Sequence, residues 1–230
     1  MTLFELATNP EQYSTGDASE WVSDSQHQDT RSELYWAQIE PILLEFRPKK
    51  ILDVGAGSGW LSKCLKKIDD AIEYEGLEPS SKNFLIATKT HPDVLIHDLC
   101  FEAFSTTKIY DAILGIMILS HIKDVGLFYD KIAGLLNENG ICIVVVSEFY
   151  DDERRHKRNG KEYDVETIGD DAYVDKQKGI GARFAVADIV RKPSSYIEEA
   201  KKSGLRLFFK KEFSDKGFSV KMLLVFKKLA

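Results

Sequence analysis

From Lys50 onward the chain repeats one unit: a short apolar run, a turn, and a run with helical spacing. That alternation leaves few folds open. Ile51 to Val54 is strand-sized, and Gly55 to Gly59 is a glycine-rich turn. Leu61, Cys64, Leu65 and Ile68 then fall at i, i+3, i+4 and i+7, the apolar stripe of an amphipathic helix. Glu73 to Leu77 predicts a second strand, Ser81 to Thr88 a helix, and Val94 to Ile96 a third strand. Ala112 to Met117 is almost continuously apolar, as a strand covered on both faces requires. Val125, Phe128, Tyr129, Ile132, Leu135 and Leu136 keep helical spacing, Asn139-Gly140 reads as the stop, and Ile141 to Val146 is a fifth buried strand. The expected result is an α/β fold, a parallel sheet with helices on both faces.

The flanks read differently. Residues 1–31 are polar and aperiodic apart from Phe4, Tyr13 and Trp21, and predict an N-terminal arm with some short helix, acting as a lid. Residues 32–46 look helical, with Pro41 kinking or restarting the helix. Residues 150–185 are charged, carry Tyr150, Tyr163, Tyr173 and Phe184, and break the alternation. They read as an insertion over the carboxyl edge of the sheet, so that 32–230 form one domain with 150–193 as a lid or substrate insertion. Ser194 or Ser195 can cap a helix that stops at Gly204, and Leu205 to Phe209 and Val220 to Phe226 predict a terminal strand pair.

Composition narrows the partners. With 43% hydrophobic residues among 230, the chain can bury a substantial core. A formal net charge of -6 repels phosphate backbones on average, which disfavours nucleic acid. Cys64, Cys100 and Cys142 show no metal-ligand spacing and suggest reduced thiols in a cytoplasmic protein. The first residues lack a basic-then-apolar signal, and the longest apolar runs are too short to span a bilayer. The five histidines are dispersed, so no metal site is expected. Monomer and homodimer both remain open.

The segment Asp53-Val54-Gly55-Ala56-Gly57-Ser58-Gly59 carries the chemistry. Glycines between a strand and a helix allow a tight turn and close approach of a ligand to the backbone. A dinucleotide fingerprint needs glycine at position 60, which is Trp60; the third glycine is Gly59. In this D-x-G-x-G-x-G form the chain resembles the class I S-adenosylmethionine-dependent methyltransferase family. The resemblance continues in Gly76-Leu77-Glu78-Pro79, where Glu78 matches the family's ribose-binding acid, and in Ile96-His97-Asp98-Leu99, where Asp98 matches an acid beside adenine. Gly115 and Ile116 match the stretch near the methionine part of the ligand, and Leu119-Ser120-His121 a leucine/histidine exit. It covers roughly residues 35 to 150 by motif and order. The first motif with Glu78 is fairly specific, and the later ones are loose.

The resemblance implies a Rossmann-like, mostly parallel seven-stranded sheet with an antiparallel C-terminal strand. It also implies S-adenosylmethionine as cofactor, S-adenosylhomocysteine as product, and a small or medium-sized acceptor methylated on oxygen, nitrogen or carbon. Asp53, Gly55, Ala56, Gly57, Gly59, Glu78, Pro79, Asp98, Leu99, Gly115 and Ile116 are then the cofactor residues, with Tyr13 closing over the methionine end. Asp53 either touches ligand or only orients the turn. His121 is the candidate base or acceptor contact, against a histidine bonded within the fold, and Glu148 is a further candidate. Tyr150, Tyr163 and Tyr173 either line the acceptor pocket or pack the insertion. Three other readings stay open: an RNA or protein methyltransferase using the basic 154–161 stretch around His156, a nicotinamide-dependent oxidoreductase, and a non-catalytic S-adenosylmethionine binder.

Overall fold

The computed structural model describes residues 1–13, 25–158, 160–178, 186–214 and 220–229. Trp21 and Phe184 lie outside them. The elements run α1 (Leu3–Ala7), a 3-10 turn (Pro10–Tyr13), α2 (Ser25–Phe46), β1 (Lys50–Val54), α3 (Trp60–Ile68), β2 (Glu73–Leu77), α4 (Ser81–Thr90), β3 (Leu95–His97) and β4 (Tyr110–Ile116). After a 3-10 turn at Ile118–Ser120 come α5 (Val125–Leu135), β5 (Leu136–Ser147), α6 (Asp152–His156), β6 (Lys157–Arg158), β7 (Lys161–Gly169), β8 (Ala172–Gln177) and β9 (Ala187–Arg191). The chain closes with α7 (Pro193–Lys202), β10 (Leu205–Phe213) and β11 (Lys221–Lys228).

Seven strands form the main sheet in the order β10-β11-β5-β4-β1-β2-β3. β1 pairs in parallel with β2 and β4, β2 with β3, and β4 with β5, while β11 runs antiparallel to β5 and to β10. This is the expected mostly parallel α/β sheet with an antiparallel strand near its C-terminal end.

Alternation along β5 shows why its apolar run is continuous. Cys142, Val144 and Val146 pack with Phe128, Tyr129 and Ile132 of α5 and Tyr196 of α7 on one face. Ile141, Ile143 and Val145 pack with Ile39 and Leu43 of α2 and Leu61 and Leu65 of α3 on the other. Both faces are covered from Ile141 to Val146, so no position in that run can be polar without losing core.

Two local expectations change. α2 begins at Ser25 and runs as one helix through Pro41, so the proline does not restart it. Pro41 is exposed, so the carbonyl it cannot bond faces water. The α5 helix ends at Leu135, before Asn139-Gly140, and β5 already starts at Leu136. Asn139 adopts a φ of 66° inside the strand, where the pairing with β4 shifts between Tyr110 and Ala112. The Asn-Gly pair therefore bends the strand and does not stop the helix.

The 150–193 stretch contributes a second, four-stranded sheet in the order β6-β7-β8-β9, antiparallel throughout. α1 packs on it: buried Ala7 meets Val174, Ala187 and Ile189, with Leu3, Phe4 and Leu6 alongside. A capping box between Thr2 and Glu5 starts this helix. Gln12 ties the arm down further, since its Oε1 accepts from the Ala187 N–H at 3.0 Å and its Nε2 donates to the Ala7 carbonyl at 3.2 Å.

Candidate functional site

A cavity of about 300 Å³ opens at the carboxyl ends of β1, β2 and β4, where open α/β sheets bind ligands. The arm, the turn after β1 and the second sheet all contribute to its wall.

The β1 turn is built from positive φ angles, 77° at Gly55 and 58° at Gly57. A Cβ on Gly55 would stand 2.9 Å from Ile118 Cδ1, so this glycine is required for packing as well as for conformation. At Gly57, which lines the cavity, a Cβ would meet nothing within 4 Å. The N–H groups of Gly55 and Ala56 donate to the Leu77 carbonyl at 2.9 and 2.8 Å, locking the turn to the end of β2.

Glu78 follows β2 directly and is 5% exposed. Its carboxylate accepts from the Gly57 N–H at 2.7 Å and the Ser80 N–H at 2.9 Å. Burial pushes this carboxyl up to about 7, against the hydrogen bonds from Ser80, Gly57 and Asn83, with the charge of Asp98 adding to the rise. Asp53 at the end of β1 is also buried and accepts from the Tyr74 hydroxyl at 2.8 Å. Burial raises it to about 7 as well, opposed by the Tyr74 bond and helped by the Glu78 charge. Two carboxyls whose ionisation burial opposes thus face one cavity, an arrangement that suits a ligand with several hydrogen-bonding groups.

At the other end lies His121. Its Nδ1 is 3.0 Å from the Ala7 carbonyl, which can only accept, so Nδ1 carries the proton. Nε2 then lies 2.6 Å from the Tyr13 hydroxyl and is the acceptor of that pair when the ring is neutral. Asp188 on β9 brings a carboxylate oxygen within 3.7 Å of the same nitrogen. Met117, just before, holds a φ of 63° and also lines the cavity.

Of the residues expected from sequence, Tyr13, Asp53, Gly55, Ala56, Gly57, Glu78, Pro79, Ile116 and His121 line this one cavity. Gly59, Asp98, Leu99 and Gly115 lie outside its lining. Gly59 precedes α3 and packs by His91 and Ile96; Gly115 is buried against Ile118 and Val144; Asp98 is exposed and reaches Glu78 through its charge. Glu148, Tyr150, Tyr163 and Tyr173 also lie outside the lining. Tyr173 is fully buried and its hydroxyl accepts from the Tyr150 N–H at 3.2 Å, while Tyr163 lies on β7. Glu148 is 3.9 Å from Arg154, and Arg154 stacks over the Tyr150 ring. These side chains knit α6 to the second sheet. Lining residues that carried no sequence signal include Tyr35, Asn83, Phe101 and Asp188.

A family model described as a methyltransferase domain matches residues 27–169 of this chain. A ubiquinone biosynthesis O-methyltransferase of Bradyrhizobium diazoefficiens is 28% identical over 99 residues, which are 41% of this chain and 38% of that protein. The matched stretch is thus well under half the length of that relative. Among solved structures, a putative S-adenosylmethionine-dependent methyltransferase from Listeria monocytogenes aligns with a TM-score of 0.62 at 18% identity, covering 86% of this chain and 100% of the other. A 1,6-didemethyltoxoflavin-N1-methyltransferase from Burkholderia thailandensis, solved with bound 1,6-didemethyltoxoflavin and S-adenosylhomocysteine, aligns with a TM-score of 0.58 at 13% identity, covering 96% of this chain and 91% of the other. These two likenesses concern the fold.

Proposed function

The chain belongs to the methyltransferase-domain family, and on that premise we propose that it transfers a methyl group from S-adenosylmethionine to a small-molecule acceptor. The observation that carries this reading is the buried Glu78 carboxylate, set against the Gly55–Gly57 turn in one cavity. A carboxylate has lone pairs for both hydroxyls of a ribose. The open side of Gly57 lets a ligand lie on the backbone, and Asn83, hydrogen-bonded to Glu78, lines the same cavity. Four acids, Asp53, Glu78, Glu102 and Asp188, and no lysine or arginine appear among the described lining residues, which suits a cationic sulfonium.

When bound, S-adenosylmethionine supplies a methyl group already activated for transfer. The protein's part is to align the acceptor, exclude water and hold a proton where one must leave. Tyr13 and the α1 arm, with the 150–193 insertion beneath them, form the lid side of the cavity in this reading. The same acidic lining disfavours a nucleic-acid acceptor. Two of the proteins named above, the ubiquinone biosynthesis and didemethyltoxoflavin enzymes, act on small molecules by their names, and the acceptor here is read in the same class. No described helix is long and apolar enough to cross a membrane. The free thiols of Cys64, Cys100 and Cys142 fit a cytoplasmic site of action.

Calorimetry with S-adenosylmethionine, S-adenosylhomocysteine and NADH tests the reading. Binding of the first two, weakened at least about a hundredfold in Glu78→Ala, is the expected result, since two charge-assisted hydrogen bonds are lost. Binding of NADH alone points to an oxidoreductase and overturns the proposal.

A further inference from the structure

We propose that His121 is the base that takes a proton from an acceptor hydroxyl, that Asp188 is the positioning residue that supports the charged ring, and that the acceptor is an uncharged phenol or enol. This deepens the methyl-transfer reading above and rests on it.

His121 is held from two sides. The Ala7 carbonyl of α1 fixes Nδ1. The loop that carries the ring is clamped by Arg191 of β9, whose guanidinium donates to the carbonyls of Leu119 at 3.0 Å, Ile122 at 2.8 Å and Lys123 at 3.1 Å. A ring fixed in this way presents Nε2 to the cavity as an acceptor, the tautomer a general base needs. The group on Nε2 is itself a phenol, the Tyr13 hydroxyl at 2.6 Å. An acceptor phenol can replace it like for like, oxygen for oxygen on the same nitrogen.

Charge narrows the class further. The described cavity lining holds carboxylates and no lysine or arginine, so an acceptor that arrives as an anion is repelled. A phenol arrives neutral and loses its proton only at Nε2. Asp188, 3.7 Å from that nitrogen, then stabilises the imidazolium. A neutral amine already presents its lone pair and has no need of a fixed acceptor nitrogen.

The step balances as follows. The hydroxyl proton passes to Nε2, an oxygen lone pair forms the bond to the methyl carbon, and the carbon–sulfur bond breaks with its electron pair left on sulfur. The products are the methyl ether and S-adenosylhomocysteine, and the imidazolium returns its proton to water.

The test needs no turnover. Protein saturated with S-adenosylhomocysteine is titrated with para-nitrophenol at a pH where the free probe is mostly protonated, and the absorbance of bound phenol and phenolate is recorded. The wild type is expected to bind the probe as phenolate. In His121→Asn the ionised fraction should fall at least about tenfold, with a smaller fall in Asp188→Asn. Tyr13→Phe should bind the probe more tightly, about fivefold, because an internal competitor worth one hydrogen bond is gone; weaker binding would show that Tyr13 assists the acceptor and would overturn the replacement. Probe bound in its protonated form by the wild type overturns the base assignment. S-adenosylhomocysteine bound without any probe binding overturns the acceptor class and leaves methyl transfer standing. Failure to bind S-adenosylhomocysteine removes the underlying function itself.

Discussion

Replacing Glu78 with glutamine should make the fold more stable above neutral pH while weakening cofactor binding. The wild-type carboxyl is 5% exposed and is raised by burial from 4.5 to about 7. Folded protein therefore holds this proton more tightly than unfolded chain. The stability it contributes is fully present below 4.5, falls as pH rises, and is lost once pH passes about 7. At about 1.4 kcal/mol for each tenfold change in proton affinity, the loss is about 3 kcal/mol. Glutamine does not ionise and escapes it. Its amide oxygen can still accept from Gly57 or from Ser80, but not from both as the carboxylate does, which costs about 1 kcal/mol. The net gain at pH ~8 is then about 2 kcal/mol, with none near pH ~5. Urea denaturation of both proteins at the two pH values measures the difference directly, and Asp53, relieved of the Glu78 charge in the variant, shifts it in the same direction. Parallel pH dependence in wild type and variant would refute the reasoning.

Gly57→Ala should cost about 1 kcal/mol of stability from its left-handed backbone, yet weaken S-adenosylmethionine binding, because the new methyl is added to the cavity wall. Gly55→Ala should cost about 2 kcal/mol or more by thermal denaturation, since its methyl also meets Ile118. Glu75 is buried and accepts from Lys108 at 2.8 Å, Tyr110 at 2.8 Å and His97 at 2.7 Å. Burial pushes its carboxyl up, but those three bonds outweigh it and hold the group below the usual range. Its stabilisation is thus present above that range and lost as pH falls through it, and Glu75→Gln should cost about 2 kcal/mol at neutral pH. Arg191→Ala should leave S-adenosylhomocysteine affinity within about twofold while reducing turnover, because it frees the His121 loop and touches none of the Glu78 end.

The main sheet was legible because its strands are covered on both faces. Ala112–Ile116 of β4 and Ile141–Val146 of β5 have to be apolar without interruption, and the helices around them need one apolar stripe each. The turn after β1 was legible because positive φ selects glycine, and Glu78 because it follows β2 directly. The second sheet left no comparable trace. Along β7 every side chain is exposed or half-buried, and the alternation of Tyr163, Val165 and Thr167 with Glu162, Asp164 and Glu166 carries too few apolar residues to mark a core-facing strand. Asn139-Gly140 misled because the same pair that ends a helix also serves a bent strand. The His121 end was hidden for another reason. Tyr13 and Asp188 reach it from 108 residues before and from the far strand of the second sheet, and no local spacing records that meeting.

The central claim is that Glu78 and the Gly55–Gly57 turn hold the methyl donor. A crystal structure of the protein with S-adenosylhomocysteine tests it most directly. The account predicts the ribose hydroxyls on the Glu78 carboxylate and the ligand's sulfur lying toward His121. A ligand seated elsewhere, or one whose ribose leaves Glu78 bonded only to Gly57 and Ser80, would contradict it.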